Sequence, residues 1–158
     1  MKKLKILCFD IEGGHGGSSR SLFYALKYIA KKKIFNEIDI TVICKKNSWV
    51  KNEYKEMGID CLVYNNMPKF TPLLKLSRNF YQLFYFIIYL WPQSKSLQKK
   101  MRTMKNFDVI HFNHVSLSLL AIWCKFKNIG KSRVMHMRTL PPVNLFSKIL
   151  FLAAKKSC

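Results

Sequence analysis

The feature that most constrains the fold is a regular alternation of short apolar segments with amphipathic ones. Five segments have the length and the apolar, β-branched content of buried strands, and they are residues 4–11, 39–45, 59–64, 107–112 and 132–137. Apolar residues after the first and fourth of them recur with the period of a helix, at Leu22, Leu26 and Ile29 and at Leu119, Ile122, Trp123 and Phe126. This order predicts a parallel sheet covered by helices on both faces and joined by right-handed crossovers. The expected fold class is therefore α/β, with a Rossmann-like sheet.

Glycines crowd the loop after the first strand, in the stretch EGGHGGSSR over residues 12–20. Glycine lets a backbone approach a ligand closely, and the start of the following helix provides free N–H groups and a positive dipole end. The loop therefore predicts a site for a phosphate or diphosphate, with Ser18 or Ser19 as the helix N-cap. The candidate binding residues are Gly13, Gly14, Gly16, Gly17, Ser18 and Arg20.

Two common nucleotide sites do not fit this loop. A dinucleotide fingerprint needs a third glycine where Ser19 stands, and an acid after the second strand where Lys45 and Lys46 stand. NAD is therefore disfavoured as a ligand. The sequence G-x-x-x-x-G-K-[ST] is absent, so a P-loop is rejected.

Further candidates lie at the ends of strands four and five, at the edge where parallel sheets bind ligands. The stretch FDVIHFNHVS places His114 just beyond strand four, and VMHMRTLPP places His136 and Arg138 near the end of strand five. A histidine can transfer protons, and an arginine can bind a phosphate through two N–H groups. The alternatives are a packed histidine and a solvated surface arginine.

Charge is distributed unevenly along the 158 residues, whose net charge is +20. Residues 61–158 carry 16 lysines and arginines against one acid, Asp108. Such a field attracts anionic lipid, lipid-linked phosphates or nucleic acid, although a compositional bias toward lysine explains part of it. No nucleic-acid-binding module is recognisable, so nucleic acid is not the expected partner. The five cysteines show no C-x-x-C spacing, so neither a disulfide framework nor a zinc or other metal site is expected.

A long insertion, at about residues 73–105, separates the third and fourth strands. Its middle, FYQLFYFIIYLW (80–91), is almost entirely apolar and is broken by Pro92, and a basic segment follows. This run is shorter than the roughly 20 residues that span a bilayer. It could pack in the core, lie at a membrane surface or contact a partner protein. The candidate membrane contacts are Phe84, Tyr85, Trp91, Lys99, Lys100 and Arg102.

The order of KILCFDIEGGHGGSSRSLFYAL, DVIHFNHVS and RVMHMRTLPP resembles the N-terminal, acceptor-side half of GT-B glycosyltransferases of the glycosyltransferase family 4 type. The resemblance covers the whole chain. It implies that the glycine loop faces an interdomain cleft, near the diphosphate of a nucleotide sugar or the acceptor. It also matches His111 with the histidine of a D-V-I-H strand. At the end of strand five, Arg138 occupies the place of a histidine found in many members, whereas an H-V-R-type motif matches His136 to Arg138, with Thr139 replacing an acid.

The resemblance implies a transferase that moves a sugar from a nucleotide-sugar co-substrate to a lipid-linked or cell-envelope glycan, without a resident cofactor or metal. The catalytic candidates are His114, His136 and Arg138. The family's second, donor-binding domain, with its E-x7-E motif, has no counterpart in residues 1–158, so we expect one N-terminal domain that is inactive alone.

Three explanations for the missing domain remain: a fragment, a split enzyme with a donor-binding subunit, or a loss of catalysis. The expected location is cytoplasmic, peripheral at the inner face of the cell membrane. The alternative function is a non-catalytic module that binds anionic membrane or a partner enzyme.

Overall fold

A sheet of five parallel strands forms the centre of the protein, in the spatial order β3-β2-β1-β4-β5. The computed structural model describes residues 3–32, 37–71, 76–104, 106–137 and 144–158. The strands are β1 (Leu4–Asp10), β2 (Ile38–Cys44), β3 (Asp60–Val63), β4 (Val109–Phe112) and β5 (Ser132–Met135). Helices flank this sheet, which confirms the α/β fold class and the Rossmann-like arrangement. The observed strands begin or end one or two residues away from the predicted ones.

Seven helices connect or follow these strands in the part of the chain that the structure describes. They are α1 (Gly17–Lys31), α2 (Val50–Glu56), α3 (Leu76–Tyr85), α4 (Trp91–Gln93), α5 (Lys95–Thr103), α6 (Ser118–Phe126) and α7 (Leu145–Ser157). A π-helical turn, Phe86–Leu90, joins α3 to α4, and a 3-10 turn, Val115–Leu117, leads into α6.

Alternate residues of each strand face opposite sides of the sheet, and each side has its own core. On β1, Leu7 and Phe9 belong to one core and Cys8 to the other. The first core also takes Leu97 and Met101 from α5 and Leu120, Ala121 and Cys124 from α6. The second takes Leu22, Phe23 and Leu26 from α1 and Val50 and Tyr54 from α2. Both faces of the sheet are therefore covered, as the continuous apolar strands require.

The apolar stripe that predicts α6 is only partly covered, although its Trp123 packs against the first core. Leu120, Ala121 and Cys124 of α6 are buried, whereas Phe126 is 80% exposed. Because this helix is apolar on nearly every side, its periodicity marks a helix without showing which side the sheet covers.

Pro92 does not break the insertion helix, contrary to the prediction. The helical path continues through Pro92 and turns at Ser94, whose hydroxyl donates to the Trp91 carbonyl at 2.7 Å. A proline ring normally clashes with the carbonyl four residues earlier, here that of Ile88. The π-helical turn contains Ile88 and changes the local spacing, so the proline is accommodated.

Besides α5 in the first core, a third, smaller apolar cluster attaches the insertion to the rest of the protein. It contains Phe70, Phe86 of the π-helical turn, and Phe146 and Leu150 of α7. Most of α3 nevertheless stays uncovered. Among the residues that the structure describes, no helix combines the length and the apolar content needed to cross a membrane.

Candidate functional site

The strand order places one crevice at the centre of the sheet, between the carboxyl ends of β1 and β4. From β1 the chain proceeds outward on one side to β2 and β3, and from β4 it proceeds outward on the other side to β5. Neighbouring crossovers diverge at such a point and leave room for a ligand. The glycine loop after β1 and the loop after β4 border this crevice, which we call the switch-point crevice.

A buried carboxylate organises the glycine loop. Asp10, the last residue of β1, is fully buried. It accepts hydrogen bonds from the Ser19 hydroxyl and, at 3.1 Å, from the Glu12 N–H group. The Ser19 hydroxyl oxygen in turn accepts from the Gly14 N–H group. Burial raises the pKa of Asp10 above its usual range. Through these hydrogen bonds, the shape of the glycine loop depends on the Asp10 carboxyl group, which the sequence shows only as part of the first strand.

Gly13 and Gly14 serve packing within the protein. Both have positive φ, +58° and +86°. A Cβ on Gly14 would overlap Val50 and contact Trp49, and one on Gly13 would lie 3.0 Å from the Lys46 carbonyl oxygen. These two candidates therefore face the segment after β2, where close backbone approach requires glycine.

Gly16 and Gly17 lie at the start of α1. Gly16 is the N-cap, so the prediction of Ser18 or Ser19 was wrong. The reason is that the Ser19 hydroxyl bonds Asp10 and the Ser18 hydroxyl donates to Glu12 Oε2 at 2.8 Å. A Cβ on Gly17 would meet nothing within 4 Å, so of the four candidate glycines this one leaves open space.

The beginning of α1 is occupied by a carboxylate of the chain itself. A Cβ on Gly16 would overlap the carboxylate of Glu12. The N-cap provides no side-chain hydrogen bond, and the first turn contains no acid. Glu12 therefore supplies the negative charge that this positive helix end favours. Arg20, which is exposed, donates from Nε to the Gly14 carbonyl at 3.4 Å.

Asn113 joins the two sides of the crevice. Its N–H group donates to the Phe9 carbonyl at 3.1 Å, and its side-chain Nδ2 donates to the Ser18 carbonyl at 2.9 Å. The residue is 1% exposed, and its Oδ1 has no donor among the described residues. The sequence shows this asparagine only as part of the stretch after strand four, without a signal for its role.

His114 lies beside the crevice as a half-buried, neutral imidazole. Its Nδ1 accepts from the Ser116 N–H group at 3.1 Å and lies 2.9 Å from the Ser116 hydroxyl. Burial lowers the pKa of His114, the nearby Glu12 carboxylate raises it, and the Lys69 ammonium lowers it. Because Nδ1 accepts from a backbone N–H group, the neutral ring carries its proton on Nε2. His114 is therefore better suited to donate a hydrogen bond from Nε2–H than to act as a general base.

His136, the candidate near β5 that the structure describes, lies along the same edge of the sheet. His136 is exposed, and its N–H group donates to the Phe112 carbonyl at 2.8 Å. Its ring centroid lies 6.1 Å from that of His111 on β4. Arg138 lies outside the described residues.

The candidate membrane contacts lie on three helices of the insertion, α3, α4 and α5. Phe84 is 64% exposed and Tyr85 41% exposed on α3, and Lys99 and Lys100 are exposed on α5. Trp91 is half-buried. Its ring centroid lies 6.0 Å from that of Trp123, and the Arg102 guanidinium lies 5.8 Å from the Trp123 ring centroid.

All five cysteines are free thiols. Within the described ranges, no group of three or more histidine, cysteine or acidic side chains could hold a metal ion. No protein-family model and no curated protein matches the sequence. The function is therefore inferred from the residues of the chain and their arrangement.

Proposed function

We propose that the chain is the acceptor-side half of a GT-B glycosyltransferase that transfers a sugar from a nucleotide sugar to a lipid-linked or cell-envelope glycan. The observation that carries this proposal is the switch-point crevice, where the glycine loop, the start of α1 and the loop after β4 are held together by the bond between Asn113 and Ser18. Ligands of open parallel sheets bind at this position.

In this proposal, donor binding belongs to a second domain, and the present chain supplies one wall of the cleft. Negative charge develops on the leaving diphosphate during sugar transfer, and backbone N–H groups and cations stabilise it. The open space at Gly17 suits that role, and the N–H groups of the first turn of α1 would take part once the diphosphate displaces the Glu12 carboxylate. His136 lies at the same edge, and the Nε2–H group of His114 would donate to an acceptor or phosphate oxygen. Arg138 is a candidate from the sequence alone.

The test is sugar transfer by purified residues 1–158, alone and with the product of a neighbouring reading frame that encodes an E-x7-E domain. Radiolabelled UDP- and GDP-sugars are incubated with a lipid extract, and label in the lipid fraction is counted. We expect transfer only with both chains, and a loss of at least about tenfold with His114→Ala, because a positioned hydrogen-bond donor is removed. Transfer by the chain alone would contradict the assignment of donor binding to another domain. Absence of transfer when the second chain is present would contradict the proposal that the chain is part of a glycosyltransferase.

A second function, binding to an anionic membrane surface, is favoured by the surface of the insertion. Lys95, Lys99 and Arg102 recur along one side of α5 and border a groove. Arg102 also lies over Trp123, which lines an adjacent apolar groove. The other residues of that groove include Leu83, Phe86, Ile87, Trp91 and Phe126. Basic and aromatic side chains side by side are typical of surfaces that bind anionic lipid headgroups.

A further inference from the structure

We propose that Cys44 and Cys61 form a redox-sensitive dithiol, which a peroxide oxidises to a disulfide that disturbs the support of the glycine loop. Cys44 ends β2, and Cys61 lies on the neighbouring strand β3. Their Sγ atoms lie 3.6 Å apart. This inference goes beyond the proposed function because it concerns a modification of the chain, whatever ligand the switch-point crevice holds.

The two cysteines lie on the same face of the sheet. Cys44 belongs to the second core, and Cys61 packs against that core. In the register of the two strands, Cys44 is the partner of Val63. Cys61 is the partner of Val42, so the two cysteines are diagonal neighbours. Because Cys44 is fully buried and Cys61 is half-buried, a small oxidant reaches Cys61 first and Cys44 contacts it from the interior.

Cys61 is also the more acidic thiol of the pair. A hydrogen bond from Cys44 lowers the pKa of Cys61, and burial raises it. The Lys51 ammonium lowers the same pKa and the Asp10 carboxylate raises it, and the net change is downward. The hydrogen bond and burial raise the pKa of Cys44. Since the thiolate is the nucleophilic form, Cys61 attacks an oxidant while Cys44 keeps its proton.

Oxidation by hydrogen peroxide takes place in two steps. The Cys61 thiolate attacks one peroxide oxygen, the O–O bond breaks, and uptake of one proton gives a sulfenic acid and water. The Cys44 sulfur then attacks the Cys61 sulfur, the S–O bond breaks, and the hydroxyl group leaves as water with the proton of Cys44. In sum, two thiols and one peroxide give one disulfide and two water molecules.

The disulfide requires a movement at the edge of the sheet. Diagonal neighbours on adjacent strands have Cα atoms about 7–8 Å apart, and a disulfide spans no more than about 7 Å unless the backbone moves. The two Sγ atoms must also approach to about 2.05 Å. The strand β3 can provide this movement, because it has four residues and lies at the edge of the sheet.

The segment that directly follows Cys44 connects this movement to the glycine loop. The Lys45 N–H group donates to the Asp10 carbonyl at 2.9 Å. The Ser48 hydroxyl donates to the Gly13 carbonyl. The segment after β2 therefore supports the glycine loop, and a displacement of Cys44 toward β3 loosens that support.

The test follows oxidation of the full chain with the substitution Cys158→Ser, which removes the exposed cysteine and with it disulfides between chains. The protein is treated with hydrogen peroxide, free thiols are blocked with iodoacetamide, and tryptic peptides are analysed by mass spectrometry without reduction. We expect the peptides 34–45 and 56–69 to appear as one linked pair, which dithiothreitol separates. Cys8→Ala, a change of another buried cysteine on the same face, should leave this product unchanged.

Two further measurements test the order of attack and the effect on the glycine loop. In Cys44→Ala, peroxide should leave a sulfenic acid on Cys61, which dimedone labels at least about fivefold more than in the chain that retains Cys44. In the oxidised chain, the amide hydrogens of residues 10–20 should exchange with deuterium at least about threefold faster than in the reduced chain. Circular dichroism confirms that each form is folded.

Three outcomes would overturn the proposal. The first is that peroxide yields no linked pair of the peptides 34–45 and 56–69. The second is that dimedone labels another cysteine in place of Cys61 in the Cys44→Ala variant. The third is that residues 10–20 exchange equally fast in the reduced and oxidised chains, because the disulfide would then leave the glycine loop unchanged.

Discussion

The carboxylate of Glu12 lies where a side chain on Gly16 would have to stand, at the start of α1. Ser18 holds it there by donating a hydrogen bond to Oε2 at 2.8 Å. The helix end that the sequence offers to a phosphate is therefore faced by an anion of the same chain. A ligand phosphate at this position must displace Glu12 or bind beside it against a like charge.

Removal of that charge should strengthen anion binding at α1. We expect Glu12→Gln to raise the affinity for inorganic pyrophosphate about two- to fivefold at low salt, since a charge near a helix end is worth about 0.3–1 kcal/mol. Isothermal calorimetry measures the change. Glu56→Gln, an equal change of net charge at the end of α2, is the control. Equal effects of the two substitutions would show that only the net charge matters.

Gly14 and Gly17 should respond oppositely to alanine. Gly14 has a φ of +86°, and its Cβ would overlap Val50, so we expect Gly14→Ala to lower the free energy of unfolding by about 2–4 kcal/mol. Gly17 has open space around it, and alanine is the better helix former. Gly17→Ala should therefore change the stability by less than about 1 kcal/mol, or raise it. Urea denaturation measures both, and equal losses would contradict the packing described for Gly14.

The pKa of His114 should depend on its two charged neighbours, Glu12 and Lys69. Its pKa lies below the usual value because of burial, the Glu12 carboxylate raises it and the Lys69 ammonium lowers it. We expect Glu12→Gln to lower this pKa further and Lys69→Gln to raise it, both measured from the ring resonances of His114 by NMR. Shifts in the opposite directions would contradict the arrangement of the three side chains.

The same pKa predicts how stability depends on pH. The unfolded chain binds the proton more tightly than the folded one, since the folded pKa of His114 lies below the usual value near 6.5. The contribution of the neutral ring is therefore complete above about pH 7 and is lost as the pH falls below about 6.5. Relative to His114→Gln, the wild type should lose stability between about pH 7 and pH 5 in urea denaturation. A constant difference across this range would contradict a lowered pKa.

The sheet could be predicted because its evidence is local. Each strand is a short apolar run, since strands of a parallel sheet are buried on both faces, and the glycines after β1 and the histidine after β4 mark the loops at its carboxyl edge. Strand order then brings these loops together. The position of the crevice thus follows from pattern and topology.

The contents of the crevice could not be predicted, because they depend on contacts between distant residues. Asn113 bonds Ser18 across 95 positions of the chain, and Lys69 acts on His114 only because the chain folds back along the sheet edge. Ser18 and Ser19 are common N-caps by type, yet their hydroxyl groups bond Glu12 and Asp10 instead. Residue type shows what a side chain can do, and the fold determines which partner it meets.

The exposed face of the insertion leads to a last prediction, on membrane binding. Phe84 is 64% exposed on α3, and Lys99 and Lys100 are exposed on the basic helix α5. We expect the chain to float with vesicles that contain phosphatidylglycerol and to sediment with neutral ones, because each basic residue near an anionic surface contributes about 1 kcal/mol. Phe84→Asp and Lys99→Gln/Lys100→Gln should each reduce the floating fraction at least about threefold.

Tyr24→Asp is the matched control for Phe84→Asp. Tyr24 is 62% exposed, nearly as much as Phe84, but lies on α1, which covers the other face of the sheet. The substitution Tyr24→Asp introduces the same acidic residue but does not change the insertion, so we expect it to leave most of the vesicle binding intact. If Tyr24→Asp removed as much binding as Phe84→Asp, the membrane would be responding to net charge, and α3 would have no specific part in it. If neither variant nor high salt changed flotation, the contact would lie elsewhere on the protein.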